Sequence, residues 1–435
     1  MKIQSVKGTR DFYPPEMAVR NWIIDGWKKV SVRNGFEEYD GPIFEYLKMF
    51  QIKSGDEIVE QLFSLQDRGG RDLALRPEIT PTLARMVNQR INSLPKPIKW
   101  FSVPRLFRAE RPQKGRLREF FQWNIDIIGV ENGLGKCLAD AEVIFTTVDY
   151  LREIGLKSKD IKVKISSREL LADYLRSLGI PEDKLEPIYV TLDKKNKLPP
   201  ETFVQMLEEQ IPDKNTVNKI QDFMTVDSMP QLEEIIQLKS KSDEYNPYLD
   251  VKMVLDNLDM MGVGNFCFYD PSIVRGLAYY TGIVFEVHDV AGELRAICGG
   301  GRYDNLLRDF GGPPVSAAGM GMGDRVLEIL LEEKGLLGEH VPKKQLDYFV
   351  TCIGAFGKEV WWIVEKLRSM EYSVNFSYKM GGLSKQLKEA SAQNAKKCII
   401  IGDEELEQNK ITVKDMVTGE QVLIDYDNFW SQLKS

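Results

Sequence analysis

The chain has 435 residues, 43% of them hydrophobic and 28% charged, which excludes a disordered chain, a collagen and a coiled-coil rod. Its five cysteines stand singly and it has only two histidines, His288 and His340, which argues against a disulfide framework, a structural zinc site and a histidine-based catalytic triad. The net charge of −7 offers nucleic acid no global attraction, so any such contact must come from a local basic patch. No apolar run approaches the ~20 residues that span a bilayer. Met1 to Pro15 hold no apolar signal core, so the expectation is a cytoplasmic protein with no membrane segment.

In chain order, Pro14 and Pro15 open a helix whose apolar stripe runs Val19, Trp22, Ile23, Trp27, Val30 and which stops at Gly35. Thr80-Pro81 reads as an N-cap and first-turn proline of a second helix ending near Ile91. From Trp100 to Gly129 the pattern is that of strands, with a hairpin whose tip, Pro112 to Arg116, is basic. A helix with Ala141, Ile144, Phe145, Val148 and Leu151 on one stripe follows and ends at Gly155. Residues 169–250 are charged and poor in aromatics, and read as an inserted module of short helices. Strands are expected at Gly282–Asp289 and Glu293–Cys298, and a helix through Leu331 after the glycines at 319–323. A linker near Gly335 to Lys344 precedes about 90 residues in which strands and helices alternate, predicting a separate α/β domain over 343–435. The segments 1–168 and 251–333 are the two parts of one interrupted domain.

Four features could carry chemistry. Along Phe121 to Ile127 the odd positions are apolar and the even ones polar, so Gln122, Asn124 and Asp126 share one strand face. That face lines a pocket or is simply solvated, and the pattern alone fits both. Arg105, Arg108, Arg111, Lys114, Arg116 and Arg118 crowd one hairpin, with Glu110 and Glu119 to offset them. Arginine forks match phosphate or carboxylate oxygens in pairs. A salt-bridged, solvated hairpin has the same composition. Arg275 to Gly282 place an arginine beside Tyr279 and Tyr280, which line a cavity or fill the core. Gly299 to Gly301, followed by Arg302-Tyr303-Asp304, let backbone approach a ligand but form neither a Walker loop nor a dinucleotide fingerprint.

Together these segments resemble the class II aminoacyl-tRNA synthetases, and within them the histidyl-tRNA synthetase family. The resemblance runs nearly end to end: Lys7 to Asp11, Leu75 to Thr80, the hairpin Phe107 to Arg116 as motif 2, Arg275 to Gly282, Gly299 to Asp304, and the C-terminal 90 residues as an anticodon-binding domain. It implies an α+β fold, an antiparallel sheet of six or seven strands flanked by helices, and a ligase that activates L-histidine with ATP and passes it to the 3′ end of its tRNA. It implies catalytic roles for Arg108 and Arg275. It implies a histidine site of Glu78, Ile79, Thr80, Arg108, Gln122, Asp126, Arg275, Tyr279 and Tyr280. It further implies ATP contacts from Arg108, Glu110 and Arg325, and tRNA contacts from Arg111, Gln113, Lys114 and Arg116. Mg²⁺ would accompany ATP with no metal site built from the protein alone. Pro42 and Phe44 lie in a segment similar to motif 1, which implies a homodimer. Two departures stand out. Gly323-Asp324-Arg325-Val326 admits two registers for motif 3, one placing the ATP arginine at Arg325 and the other placing Val326 there. Ala278 stands where many members carry aspartate. The rival readings are the regulatory subunit of ATP phosphoribosyltransferase, which usually lacks the C-terminal domain, and a catalytically inactive tRNA-binding paralogue.

Overall fold

The first domain is built around β7 (Glu119–Ile128), a strand buried on both faces. The computed structural model describes residues 3–52, 60–195, 198–236, 246–274, 279–354, 357–378 and 381–434. They divide into two compact units, Met1–Val341 and Pro342–Ser435.

In the first unit, β7 pairs antiparallel with β5 (Ile98–Ser102) on one side and β12 (Ala317–Gly323) on the other. The sheet continues through β11 (Cys298–Arg302), β10 (Ile283–Asp289) and β8 (Ile161–Ser167), all antiparallel. Two short strands, β1 (Glu37–Glu38) and β9 (Cys267–Tyr269), close its edges in parallel, and β6 (Arg105–Phe107) extends the hairpin with β7. Among the described residues nine strands therefore stand where six or seven were expected, because short edge pairs carry no period-2 signal. A separate three-stranded sheet joins β2 (Phe44–Tyr46), β4 (Asp72–Leu75) and β3 (Ser64–Gln66).

Helices cover the odd-numbered face of β7. The prolines at the start of α1 (Pro14–Arg33) suit its first turn, where backbone N–H groups need no helical partner, and Ile23, Trp27 and Val30 are buried. Asn132 caps α4 (Gly133–Glu153) by accepting from the Gly135 N–H. These helices meet Trp123, Ile125 and Ile127 in the largest core. The same core takes in Leu171, Leu175, Phe203, Ile220 and Leu232 from the helical run 168–236, which packs onto the sheet's own core. The even-numbered face is covered differently. There a smaller core holds α3 (Thr80–Arg90) with Tyr39, Tyr279, Tyr280 and Tyr303. Thr80 is the first helical residue rather than the cap, which is Ile79.

Two strands lie elsewhere than expected. The second strand signal falls at Cys298–Arg302, not at Glu293–Cys298, so the three glycines are strand rather than a loop after it. Gly319 to Gly323 are likewise strand. Glycine is a weak strand former, so neither run looks like one in sequence. The expected linker carries a short helix, Leu336–His340.

The second unit is a five-stranded sheet. Val374–Phe376, Leu346–Cys352 and Ala395–Ile401 run parallel, and Lys410–Asp415 and Gln421–Asp425 complete it antiparallel. The helices Lys358–Ser369 and Leu383–Ala392 contribute to two separate cores, as an α/β layer structure requires.

Candidate active site

The even-numbered face of β7 looks onto glycines. Across the β7–β12 ladder Asp126 stands opposite Gly319, Asn124 opposite Gly321 and Gln122 opposite Gly323. One strand further, Gly319 pairs with Gly301 and Gly321 with Gly299. Cross-strand partners share a face, so five glycines form a floor beside three polar side chains. The close approach needs them. A Cβ on Gly319 would lie 2.1 Å from Asp126 Oδ1 and 2.8 Å from the Ile125 carbonyl oxygen. One on Gly301 would lie 3.0 Å from the Tyr280 ring.

Asp126 is the centre of this face. It is buried, and Tyr303 donates its hydroxyl to Oδ1, while Oδ2 meets no hydrogen-bond partner among the described residues. Burial pushes the Asp126 carboxyl up to about 7, and the Tyr303 hydrogen bond only partly opposes it. Tyr303 follows the glycine run, and strand alternation separates it from Arg302. Arg302 points to the opposite side, where it donates to Asp140 at 3.0 Å, to Ser316 at 2.5 Å and to the Lys136 carbonyl at 2.7 Å. Arg302 thus fastens α4 to the sheet, and Tyr303 serves the site.

The neighbouring wall comes from residues 76–80 and the hairpin stem. Buried Arg76 donates to Asp40 at 2.7 Å, to the Gly41 carbonyl at 2.8 Å and to the Arg105 carbonyl at 3.0 Å. It ties the turn carrying Glu78 to the stem. Glu78 is buried and accepts from Tyr279 at 3.3 Å. Arg108 donates Nε to the Pro77 carbonyl at 3.1 Å and lies 5.2 Å from the Phe120 ring centroid. Burial lowers its pKa from the ordinary guanidinium value, against the pull of Glu78 and Glu110. A guanidinium held this way still carries its charge and has further N–H groups for an anion.

The hairpin tip is engaged within the chain. Arg116 pairs with Glu110 at 2.8 Å, Lys114 with Glu333 at 3.2 Å, and Gln113 accepts from Arg295 at 2.8 Å. Arg111 is exposed. At the far end of β12, α12 (Asp324–Glu333) begins with a buried carboxylate. Asp324 accepts from Arg10 and from the Phe121 N–H, the latter at 3.1 Å. Arg325 is only partly buried and pairs with Glu328 at 2.8 Å. Val326 is buried, 3.1 Å from where a Cβ on Gly115 would sit at the hairpin tip.

The structure thus brings Glu78, Ile79, Thr80, Arg108, Gln122, Asp126, Tyr279 and Tyr280 to one side of the sheet. Arg275 and Ala278 lie outside the described residues. The sequence names Tyr303 only within the segment after the glycines, without a role, and does not mark Tyr39 at all. Alternation after the glycine run could have found Tyr303, whereas no local signal marks Tyr39.

The titration of Asp126 makes a prediction about stability. An unfolded aspartate ionises near ~3.9, and folded Asp126 near about 7. Between those values the folded chain keeps a proton that the unfolded chain has lost. Its contribution to stability therefore falls as pH rises from about 4 to about 7, and stays lost above that. Asp126→Asn, which cannot ionise, should gain thermal stability relative to the parent at pH 8 and little or none at pH 4. Melting curves at the two pH values check this, and an equal difference at both contradicts it.

A family model described as histidyl-tRNA synthetase matches residues 8–325, and one described as an anticodon-binding domain matches 347–435. A histidine–tRNA ligase from Opitutus terrae is 39% identical over 417 residues, covering 95% of this chain and 94% of that one. The crystal structure of histidyl-tRNA synthetase from Nostoc sp. PCC 7120 is 25% identical with a TM-score of 0.81, covering 100% of this chain and 99% of the other. The apo S. aureus histidyl-tRNA synthetase structure is 27% identical with a TM-score of 0.75 and full coverage of both chains. The chain belongs to the histidyl-tRNA synthetase family, as a class II aminoacyl-tRNA synthetase with a C-terminal anticodon-binding domain.

Proposed function

We propose that this enzyme activates L-histidine with ATP and transfers it to the 3′ end of histidine tRNA, and that it does so on the glycine-floored face of β7. The observation that carries the reading is Asp126: a buried carboxylate with one oxygen held by Tyr303 and the other without a hydrogen-bond partner among the described residues, facing glycines on the adjoining strands. A regulatory subunit is not favoured, given 39% identity to a histidine–tRNA ligase over nearly the whole of both chains.

The chemistry asks for positioning and charge rather than a protein nucleophile. A carboxylate oxygen of histidine attacks the α-phosphorus of ATP, the α–β phosphoanhydride bond breaks, and pyrophosphate leaves. The terminal hydroxyl of the tRNA then attacks the activated carbonyl, and AMP leaves. Arg108 would hold the substrate carboxylate and the α-phosphate. Arg275 would add the second positive charge at the phosphorus. Glu78, Thr80 and Gln122 would take the ammonium group, with Ile79 beneath. Asp126 and Tyr280 face the imidazole end, and Tyr279, tied to Glu78, lines the pocket. Asn124, Gln122 and Asp126 then share a face for a reason that a solvated strand would not supply.

Arg325 would contact ATP after exchanging Glu328 for phosphate, and Glu110 would assist at the metal or the adenine. Among the described residues no cluster of three His, Cys, Asp or Glu side chains comes together. Mg²⁺ would therefore take most of its ligands from the nucleotide, with at most a carboxylate such as Glu110, which is how magnesium is ordinarily bound. Once bound, it would neutralise phosphate charge. At the hairpin tip, Arg111, Gln113, Lys114 and Arg116 would meet the tRNA acceptor end. Such charge contacts make binding salt-dependent. From Lys343 on, 13 Lys/Arg face 13 Asp/Glu, so anticodon reading there would rest on base contacts rather than net charge. Among the described residues no helix is long and apolar enough to cross a membrane, which fits a cytoplasmic enzyme.

We read the chain as a homodimer. Ile43, Phe44, Tyr46 and Leu65 on and beside the three-stranded sheet are 48%, 54%, 57% and 45% exposed. Contiguous apolar side chains of this size mark an interface.

ATP–pyrophosphate exchange with each of the twenty amino acids tests the activity. Exchange is expected with histidine alone, and Arg108→Ala should lose roughly 10²–10³-fold, as when one charge-stabilising donor is removed. Folded protein that exchanges with no amino acid contradicts the reading. Light scattering should give twice the chain mass, falling toward the monomer in Phe44→Asp. A monomeric parent protein at micromolar concentration sinks the dimer.

A further inference from the structure

The glycine floor has a second polar rim. From β7 the rows of paired residues run on across β12 and β11 to β10. Asn124 stands opposite Gly321, Gly321 opposite Gly299, and Gly299 opposite Glu286. The neighbouring row runs Asp126, Gly319, Gly301, Val284. Cross-strand partners share a face, so Glu286 looks onto the same floor as Asp126. The packing of β10 agrees. Ile283, Phe285 and Val287 lie in the large core behind the sheet, whereas Val284 packs with Tyr279, Tyr280 and Tyr303 on the floor side. Glu286 is two residues beyond Val284 and so shares its face.

At a strand spacing of ~4.8 Å, Asn124 and Glu286 stand about 14 Å apart with only glycine between them in their row. The Glu286 side chain is 22% exposed, and its Oε2 lies 2.9 Å from Nε2 of His288 on the same strand. On its other side stands Lys164 of β8, which pairs with Asp270 at 2.9 Å. The rim therefore presents an anchored carboxylate that solvent, or a ligand on the floor, can reach.

The chemistry proposed for the site leaves this ground to a sugar. An amino acid between Asp126 and Arg108 lies along β7. The nucleoside that follows the α-phosphate needs other ground, and the glycines of β12 and β11 offer it. A phosphate group would be repelled by the Glu286 carboxylate. A ribose offers two adjacent hydroxyl donors, which the two oxygens of one carboxylate can accept together. Dinucleotide-binding folds use an acidic side chain on the ribose in this way.

We propose that Glu286 is a nucleoside-binding residue: its carboxylate accepts from the 2′- and 3′-hydroxyls of a ribose lying over Gly299 and Gly321. This rests on the adenylation reading of the same site. Two riboses enter that reaction, that of ATP and that of the terminal adenosine of the tRNA, and the test separates them.

The full-length protein and Glu286→Ala are compared in pyrophosphate exchange with ATP, 2′-deoxyATP and 3′-deoxyATP. In the parent, kcat/KM should favour ATP, because a site built to bind a hydroxyl rejects the analogue that lacks it. If Glu286 holds the ATP ribose, Glu286→Ala should raise the KM for ATP about tenfold, as expected for lost hydrogen bonds to a charged group. The KM for histidine should change little, and the preference for ATP over the deoxy analogues should fall by a similar factor. If Glu286 holds the tRNA ribose, exchange stays unchanged and transfer from preformed adenylate slows about tenfold. That slowing should vanish on tRNA whose terminal adenosine lacks the hydroxyl that is not esterified. Unchanged exchange and unchanged transfer overturn the proposal. So does a loss in exchange that is equal for ATP and both deoxy analogues, which is what a purely structural role would give. If melting shows Glu286→Ala unfolded, Glu286→Gln supplies the same ratios. A parent protein that exchanges with no amino acid sinks the adenylation reading instead, and equilibrium binding of ATP against 2′-deoxyATP to parent and variant then decides for Glu286.

Discussion

An ionisable carboxylate buried on a sheet face whose next two strands carry glycine opposite it is the constraint around which the catalytic unit is arranged. Asp126 is raised toward neutrality by desolvation and half-satisfied by Tyr303. Leaving it so costs stability unless a ligand completes it. The register of β7, β12 and β11 makes this possible, since it sets Asp126 against Gly319 and Gly301 in successive strands. A slip of one residue would turn Trp123 and Ile125 toward the site and Asp126 into the large core. The aromatic group of Trp27, Trp123 and Tyr150 on the other face opposes such a slip.

The second dependence is on arginines that hold rather than bind. Arg76 and Arg302 are buried and bonded to carbonyls and carboxylates of distant segments. Arg10 ties the N-terminal segment to Asp324 and to Glu328 at 2.9 Å on α12. Arg76 joins the turn carrying Glu78 to the hairpin stem beside the site, whereas Arg302 fastens α4 to the sheet from the opposite face. The hairpin arginines differ. Arg116 is partly exposed, but the Glu110 it pairs with is only 8% exposed, so a polyanion that takes this arginine must leave that carboxylate another partner.

Much of this was legible in the sequence, and the reasons are local. The alternation Phe121 to Ile127 marked the polar face of β7, and the prolines of α1 and α3 marked helix starts. Glycine hid the rest. Gly299 to Gly301 and Gly319 to Gly323 are strands that lack strand formers, because an empty floor and strand propensity make opposite demands on the same residues. Tyr39 was invisible for another reason. Its placement on the polar side of the sheet depends on a contact with β5, about 60 residues away in sequence, and nothing in its neighbourhood announces one. The interface segment at Pro42 and Phe44 was likewise suggested only by resemblance, and the exposure of Tyr46 and Leu65 beside it was not foreseen, since scattered exposed apolar residues are common.

A crystal structure of the protein with histidine and a non-hydrolysable ATP analogue tests the central claim most directly. The account predicts the imidazole against Asp126, over Gly301 and Gly319, with the substrate carboxylate on Arg108. An amino acid bound elsewhere, or a ring turned away from Asp126 with that carboxylate still unpartnered, would contradict it.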